Sequence, residues 1–309
     1  MNRREFLSIA GAFAGCTSDI GEAFASVPPS LPSMYTLVLV DLDGGNDALN
    51  TVVPIADARY RTLRPRLALS RDRVLPLDAR TALHPSLSPL MSTWRAGELA
   101  IVQGVGYEAP NRSHYRSRQI WDTASHADEY RVDDWLAHVR DVNAGSFVAS
   151  CDAAARFIAA RDLAQRMDVI RLTLHGFDTH EYQAARHAAL LAQLAQGLAS
   201  LRARSIASGA WGRTLVMTRS EFGRSAREND AGGTEHGAAA AHFVMGGNVR
   251  GGLFGAPPRL DQMDAQGGLP VEVDFRRLYA TVLDACSQRD AISIRGERLE
   301  PLPILRALV

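Results

Sequence analysis

The sequence contains no lysine: all 34 of its basic residues are arginine, set against 34 aspartates and glutamates, for a formal net charge of +0. That balance excludes the global basic field that gathers nucleic acid, and the arginine bias runs through the whole chain rather than marking one site. Cysteine is scarce as well, three in 309 residues with no CxxC or Cys/His pattern. This excludes a disulfide-stapled scaffold and a structural zinc finger. Cys151 and Cys286 lie in apolar or Ala-rich contexts that suit buried small hydrophobes, with a disulfide in an oxidising compartment as the alternative. No apolar run reaches the roughly 20 residues needed to cross a bilayer. There is no P-loop, because GGND lacks the Lys-Ser/Thr pair, and no GxSxG elbow. What remains, 46% hydrophobic and 22% charged, is an ordinary globular composition, long enough for one large domain.

The N-terminus reads as an address. Arg3-Arg4-Glu5-Phe6-Leu7, a weakly apolar run from Leu7 to Gly15, and Ala23-Phe24-Ala25 at a small-x-small cleavage point resemble a twin-arginine export signal over residues 1–25. An amphipathic N-terminal helix is the plain alternative, and Cys16 after Phe13-Ala14-Gly15 offers a lipidation site. Residues 26–33, with Pro28, Pro29 and Pro32, read as an extended linker, leaving 34–309 as a single domain. The expected location is periplasmic or exported, with the twin-arginine machinery as a partner. That machinery moves folded cargo, often with a metal already in place.

Tyr35–Leu42 (YTLVLVDL) is almost continuously apolar, as expected of a strand buried on both faces of a parallel sheet. Leu99–Val105, Val169–Leu174, Thr214–Thr218 and His242–Met245 give further strands. Pro85–Arg95 and Phe275–Ser287 read as helices, and Gly246–Pro258 as loop. The clearest helix is Glu181–Arg204, where Leu190, Leu194, Leu198 and Leu201 recur at helical spacing. Strands alternating with helices predict an α/β fold with a mainly parallel central sheet covered by helices on both faces.

Ligands of open parallel sheets sit beyond the carboxyl ends of the strands, so the residues that follow each strand are the informative ones. Asp41-Leu42-Asp43-Gly44-Gly45-Asn46-Asp47 follows the first, His175-Gly176-Phe177-Asp178-Thr179-His180 the third, and Arg219-Ser220-Glu221-Phe222-Gly223-Arg224 the fourth, with Gly233-Thr234-Glu235-His236-Gly237 beyond. Carboxylates mixed with imidazoles suit a divalent metal such as zinc, manganese or calcium, the histidines favouring transition metals. Each residue also has a structural reading. Asp43 or Asn46 can make a turn or cap, Asp178 can cap the long helix, and Glu221 with Arg224 can form an exposed ion pair. His84 and His138 have only structural or solvated settings. The recurrence at successive strand ends is what points to a site.

GGNDALNTVVP (44–54), LHPSL (83–87), NRSHY (111–115), GFDTH (176–180), RSEFGR (219–224), GTEHG (233–237) and VDFRRLYATVL (273–283) occur in the order seen in the bacterial "domain of unknown function 1501" family, which this chain resembles over most of residues 35–285. The family is grouped with the alkaline phosphatase and sulfatase superfamily. The resemblance therefore implies an alkaline phosphatase-like α/β fold and metal-dependent cleavage of an anionic phosphate or sulfate ester. By position, Asp43 or Asp47 resembles the first-strand metal Asp, Asp178 and His180 a later Asp/His pair, Glu221 the position of a further ligand pair, and His236 the last His. Ser113, beside Arg112 and His114, is the nearest candidate nucleophile, and Arg224 or Arg112 the anion holder. The chain departs from the pattern in several places. Asp178 and His180 are only two apart, Glu221-Phe222 replaces Asp-His, and Glu235 stands where Asp is usual. A segment that relatives carry between Trp135-Leu136 and the Val169 strand is missing. The departures imply a reduced cap over the site, or a non-catalytic envelope binding or assembly protein that keeps the fold.

Overall fold

The computed structural model describes residues 35–136, 139–160, 168–287 and 293–306. The expected signal with Arg3, Arg4 and Cys16, the linker, His138 and the side chain of Cys286 lie outside the described residues. Eight strands make the central sheet: β1 Thr36–Asp43, β2 Leu99–Gly106, β3 Val139–Asp141, β4 Asp168–His175, β5 Thr214–Arg219, β6 Ala240–Met245, β7 Gly252–Phe254 and β8 Val273–Asp274. Their order is β7-β2-β6-β5-β1-β4-β3, with β8 beside β2. Every pairing is parallel except those of β6, which runs against both β5 and β2. The sheet is mixed and mostly parallel, as the apolar strands predicted. Its one reversed strand is the segment expected at His242–Met245.

Four helices cover it: α1 His114–Thr123, α2 Phe147–Ala160, α3 Gln183–Ala207 and α4 Phe275–Ser287. Alternate residues of β1 enter different cores, because successive strand side chains point to opposite faces. Val38, Val40 and Leu42 pack with Cys151 of α2 and with Leu191, Leu194 and Leu198 of α3. Leu37 and Leu39 pack with Ile120 and Trp121 of α1 and with Phe275, Leu278 and Tyr279 of α4. Helices therefore lie on both faces, and Cys151 is a free, buried thiol.

Three local expectations shift. The segment Pro85–Arg95 is a 3-10 stretch, Pro85–Leu90, followed by a short α-helix, Met91–Arg95. Pro89 has no N–H to continue an α-helical ladder, which accounts for the break. Part of the expected loop Gly246–Pro258 pairs as edge strand β7 along Ala100–Val102. The capping roles are also redistributed. Asp47, not Asp43, caps the helical turn Ala48–Thr51 by accepting from the Leu49 N–H. The long helix starts from Tyr182 in left-handed backbone rather than from an Asp178 cap.

Candidate metal centre

The carboxyl ends of β1, β4 and β5 are stitched together before any side chain reaches solvent. Phe177 and Gly176 donate their N–H groups to the Asp43 carbonyl. Ser220 donates to the Leu42 carbonyl and accepts from the Asn46 N–H. Gly44 crosses so close to the next loop, at φ +121°, that a Cβ there would lie 2.2 Å from the Asp178 nitrogen. The glycines of GGND thus serve close backbone packing. The hairpin Arg224–Glu228/Thr234–His236 then brings His236 against the Asp178–His180 loop.

The result is a group of three imidazoles around one carboxylate. His236 Nε2 and His180 Nε2 each lie 3.0 Å from Asp178 Oδ1, and His114 Nε2 lies 3.4 Å from Asp178 Oδ2. Donor atoms of His114, Asp178 and His236 all fall within 4.8 Å of one another. Behind each ring stands an acceptor: the Glu221 carboxylate 2.8 Å from His114 Nδ1, the Glu235 carboxylate 3.1 Å from His180 Nδ1, and the Arg112 carbonyl 2.8 Å from His236 Nδ1. Glu221 is held in turn by the Gly44 N–H at 3.0 Å and is buried.

This arrangement cannot be satisfied by neutral rings alone. A neutral imidazole has one N–H, yet each of these three faces an acceptor from both nitrogens. With Nδ1 donating outward, each Nε2 lone pair faces the Asp178 carboxylate, Arg224 Nη1 approaches His180 Nε2 at 3.4 Å, and the Nε2 atoms of His180 and His236 stand 3.0 Å apart. Protonation is the other way out, and at His236 burial pushes the pKa down, against the imidazolium. Burial also works against the Asp178 anion, but nearby His236 and Arg224 outweigh it and hold that carboxyl at about 2. A cation between the Nε2 atoms and Asp178 resolves every contact. Two ligands of one tetrahedral zinc lie about 3.4 Å apart, given metal–nitrogen distances of about 2.0–2.1 Å. Carboxylates and carbonyls behind the far ring nitrogens are the usual supports of ligating histidines. Three nitrogen donors suit zinc or manganese better than calcium, which takes oxygen ligands.

The remaining candidates fall elsewhere. Asp47 is 1% exposed and committed to Arg64 at 2.6 Å, the Gln183 amide at 2.5 Å and the Leu49 N–H. Asp43 pairs with Arg118 at 2.8 Å and His175 at 2.7 Å. Glu221 stands behind His114 rather than among the converging Nε2 atoms. Arg224 is buried beneath the group, not in an exposed pair with Glu221. Its guanidinium donates to the Gly44, Gly45, Phe177 and Thr234 carbonyls and to Asp178 at 2.6 Å, with one Nη1 N–H left facing His180 Nε2 at 3.4 Å. Arg112 turns its guanidinium to Asp264 and Gln266 and gives the centre only its carbonyl. Ser113 is exposed at the start of α1, and its side chain makes no capping bond. His84, expected to be structural, is buried and caps the 3-10 stretch through Nδ1. Sequence reasoning missed the supporting shell, Glu235 and the Arg112 carbonyl. The acid next to His236 in GTEHG was its only trace.

An α/β sheet with a histidine–aspartate centre on its carboxyl edge defines the class. Residues 107–287, more than half of the chain, match the model of the family described as "Protein of unknown function (DUF1501)", and the protein belongs to that family. No curated protein matches the sequence. Among solved structures, the C-terminal periplasmic domain of EcEptC from Escherichia coli is 7% identical with a TM-score of 0.41, over 69% of this chain and 72% of that one. The lipoteichoic acid synthase LtaP from Listeria monocytogenes gives 7% and 0.41 over 77% and 68%. A protein in the alkaline phosphatase superfamily from Vibrio parahaemolyticus gives 10% and 0.37 over 73% and 64%. The metal assignment rests on the side-chain geometry alone.

Proposed function

We propose that the protein binds one divalent metal, zinc by its donor set, through His114, Asp178, His180 and His236, and uses it to cleave a phosphate or sulfate ester. The observation that carries this reading is the threefold repeat of an anchored Nδ1 with Nε2 aimed at one carboxylate. When bound, such a metal supplies a Lewis acid for the ester oxygens and lowers the pKa of a coordinated hydroxyl or water. Glu221, Glu235 and the Arg112 carbonyl fix ring orientation, and Arg224 fixes Asp178. Ser113, whose side chain is uncapped at the head of a ten-residue helix, is the proposed nucleophilic hydroxyl. Backbone N–H groups there favour an anion.

Elemental analysis of purified protein tests the centre. Stoichiometric zinc is expected, lost in Asp178→Ala and in His236→Ala. Protein that stays metal-free after reconstitution would sink the reading. A non-catalytic metal-binding role is the second reading, favoured by the burial of Arg224 and the diversion of Arg112. Metal-loaded protein inert toward aryl phosphates and aryl sulfates alike would establish it. Export through Arg3-Arg4 belongs to the same proposal. Replacing both with glutamine should strand the precursor in the cytoplasm, and unchanged periplasmic delivery would remove it.

A further inference from the structure

Ester cleavage at the metal centre needs a group that carries protons, and the centre itself has none to spare. His114, His180 and His236 have both ring nitrogens engaged, and Glu221 and Glu235 anchor rings. Of the other described histidines, His84, His187 and His242 are buried, and His126 Nε2 is taken by Glu297 and Arg276. His175 differs from all of these. Its side chain is 75% exposed, and its Nε2 has no partner among the described residues. Sheet register builds its setting, because Asp43 and His175 are direct partners at the carboxyl ends of the parallel strands β1 and β4. Asp43 Oδ2 lies 2.7 Å from His175 Nδ1, and Asp43 Oδ1 lies 2.8 Å from Arg118 Nη2. A carboxylate beside a guanidinium only accepts, so Nδ1 carries the ring proton and the Nε2 lone pair is left free.

Both residues of this pair line a cleft of about 240 Å³, and Glu221 lines it too. A string of polar contacts runs from the pair to the metal centre. Arg118 Nε lies 3.7 Å from the same Glu221 oxygen that His114 Nδ1 approaches at 2.8 Å. His175 also precedes Asp178 by three residues, at most about 11 Å of extended chain. An exposed ion pair adds little to stability, whereas an imidazole oriented by a carboxylate is equipped to move protons. We infer, resting on the ester-cleaving reading above, that His175 protonates the leaving alcohol oxygen, with Asp43 as its positioning residue. Ser113 has by then lost its hydroxyl proton to solvent. As the Ser113 oxygen bonds to phosphorus or sulfur, the bond to the leaving oxygen breaks, and the Nε2 proton of the His175 imidazolium passes to that oxygen. In the return step the neutral ring takes a proton from water, whose oxygen displaces that of Ser113. The imidazolium and the Ser113 alkoxide are thereby restored.

The test compares phenyl with 4-nitrophenyl esters, as phosphates and as sulfates, on the zinc-loaded full chain and its His175→Gln variant. A proton donor matters most where the leaving oxygen is the stronger base, as in the phenyl esters. His175→Gln should lower kcat about 100-fold or more on the phenyl ester and less than about tenfold on the 4-nitrophenyl ester, with zinc content unchanged. Equal losses on the two esters, no loss on either, or loss of zinc overturns the inference. Nitrogen-15 NMR of the metal-free protein reads the pair without turnover. The neutral His175 ring should hold its proton on Nδ1 in the wild type and on Nε2 in Asp43→Ala, and a wild-type ring protonated on Nε2 overturns the inference as well. An active wild type indifferent to His175→Gln refutes this role alone. Zinc-loaded wild type inert to every ester refutes the ester-cleaving reading, and the role of His175 with it.

Discussion

Two polar clusters, one around Asp47 and one around Asp178, use the same residue types to opposite ends. Around Asp47, donors meet acceptors: Arg64 binds Asp47, Asn50 and the Ala226 and Ser225 carbonyls, Gln183 donates to Asp47 and Tyr60 to Asn50, and here the buried Asn46 Nδ2 alone has no partner among the described residues. Asp47 and Arg64 are 1% and 0% exposed. Around Asp178, three imidazoles with acceptors behind their Nδ1 atoms crowd one carboxylate that Arg224 also holds, and the carboxylate is nearly half exposed at 45%. The first cluster is closed to solvent. The second holds three imidazoles against one carboxylate, and it is open to solvent. Residue type alone does not separate structure from chemistry; the count of donors against acceptors does.

The sharpest way to break the comparison is Arg64→Ala. Removing one partner of a buried pair leaves an uncompensated charge and costs about 3–5 kcal/mol, so Tm should fall by roughly 10 °C while zinc content per folded molecule stays unchanged. Asp178→Ala in chelated protein should cost less than Arg64→Ala, because the three rings lose the carboxylate they face while buried Arg224 loses its one carboxylate partner but keeps its backbone carbonyls. Calorimetry on both variants decides. A larger loss at Asp178 than at Arg64 would mean the roles of the clusters are reversed.

That reversal is where the sequence could mislead. The strands were legible because burial on both faces of a parallel sheet writes a continuous apolar run, and Tyr35–Leu42 and Thr214–Thr218 lie within one or two residues of the observed β1 and β5. Asp178, His180, His236 and His114 were legible as candidates because they stand just beyond strand ends or at a helix start. Asp47 and Asp178 looked alike, since each is an Asp in a loop after a strand. What separates them is Arg64, which reaches Asp47 from 17 positions away with no motif of its own. The same holds for Glu221, whose strand-end position reads as a ligand although its carboxylate supports a ring. Long-range pairing of buried charge leaves no periodicity to read.

Metal removal comes next in size. A ligand that binds only the folded state at a thousand times its Kd stabilises by about 4 kcal/mol, so chelation should lower Tm by roughly 10 °C in the wild type and by nothing in His236→Ala. An identical chelation shift in the two proteins would place the metal elsewhere.

Acid should then divide the clusters by pH. Burial, the largest influence, lowers His187 to about 4, although Asp47 pulls the other way. The unfolded imidazole binds its proton near 6.5, so between about 6.5 and 4 the unfolded state carries more protons. Stability in that window falls as pH falls. For His187 the full loss is about 3 kcal/mol. Asp47 is the second contributor: burial raises its pKa, Arg64 overrides that, and the net direction is down. Its contribution is present above the unfolded value near 3.9 and is lost as pH drops through the lower folded value. Urea midpoints for wild type and His187→Gln at pH 7.5 and 5 test the first window. The variant should show the smaller fall, and equal falls would remove His187 from the account.

The smallest effect probes the open cluster's own loop. Tyr182 follows His180 by two residues and sits at φ 49°, ψ 35°, a region that costs a non-glycine residue about 1–2 kcal/mol. Its side chain is 75% exposed, so packing returns little against that cost. Glycine would adopt the same backbone without strain but gives up about 0.5–1 kcal/mol of chain entropy. Tyr182→Gly should therefore stabilise the protein by up to about 1 kcal/mol, raising Tm by one to a few degrees in calorimetry. The strain is set locally: the Tyr182 and Gln183 N–H groups are tied to the Ala231 and Gly232 carbonyls at 3.3 and 2.9 Å, which turns the chain from the His180 loop into α3. Left-handed backbone at a bulky, exposed residue persists where the surroundings over-determine it, commonly at binding loops. A fall in Tm of the same size would show that the Tyr182 ring contributes to stability after all, and would take the strain out of the open cluster's description.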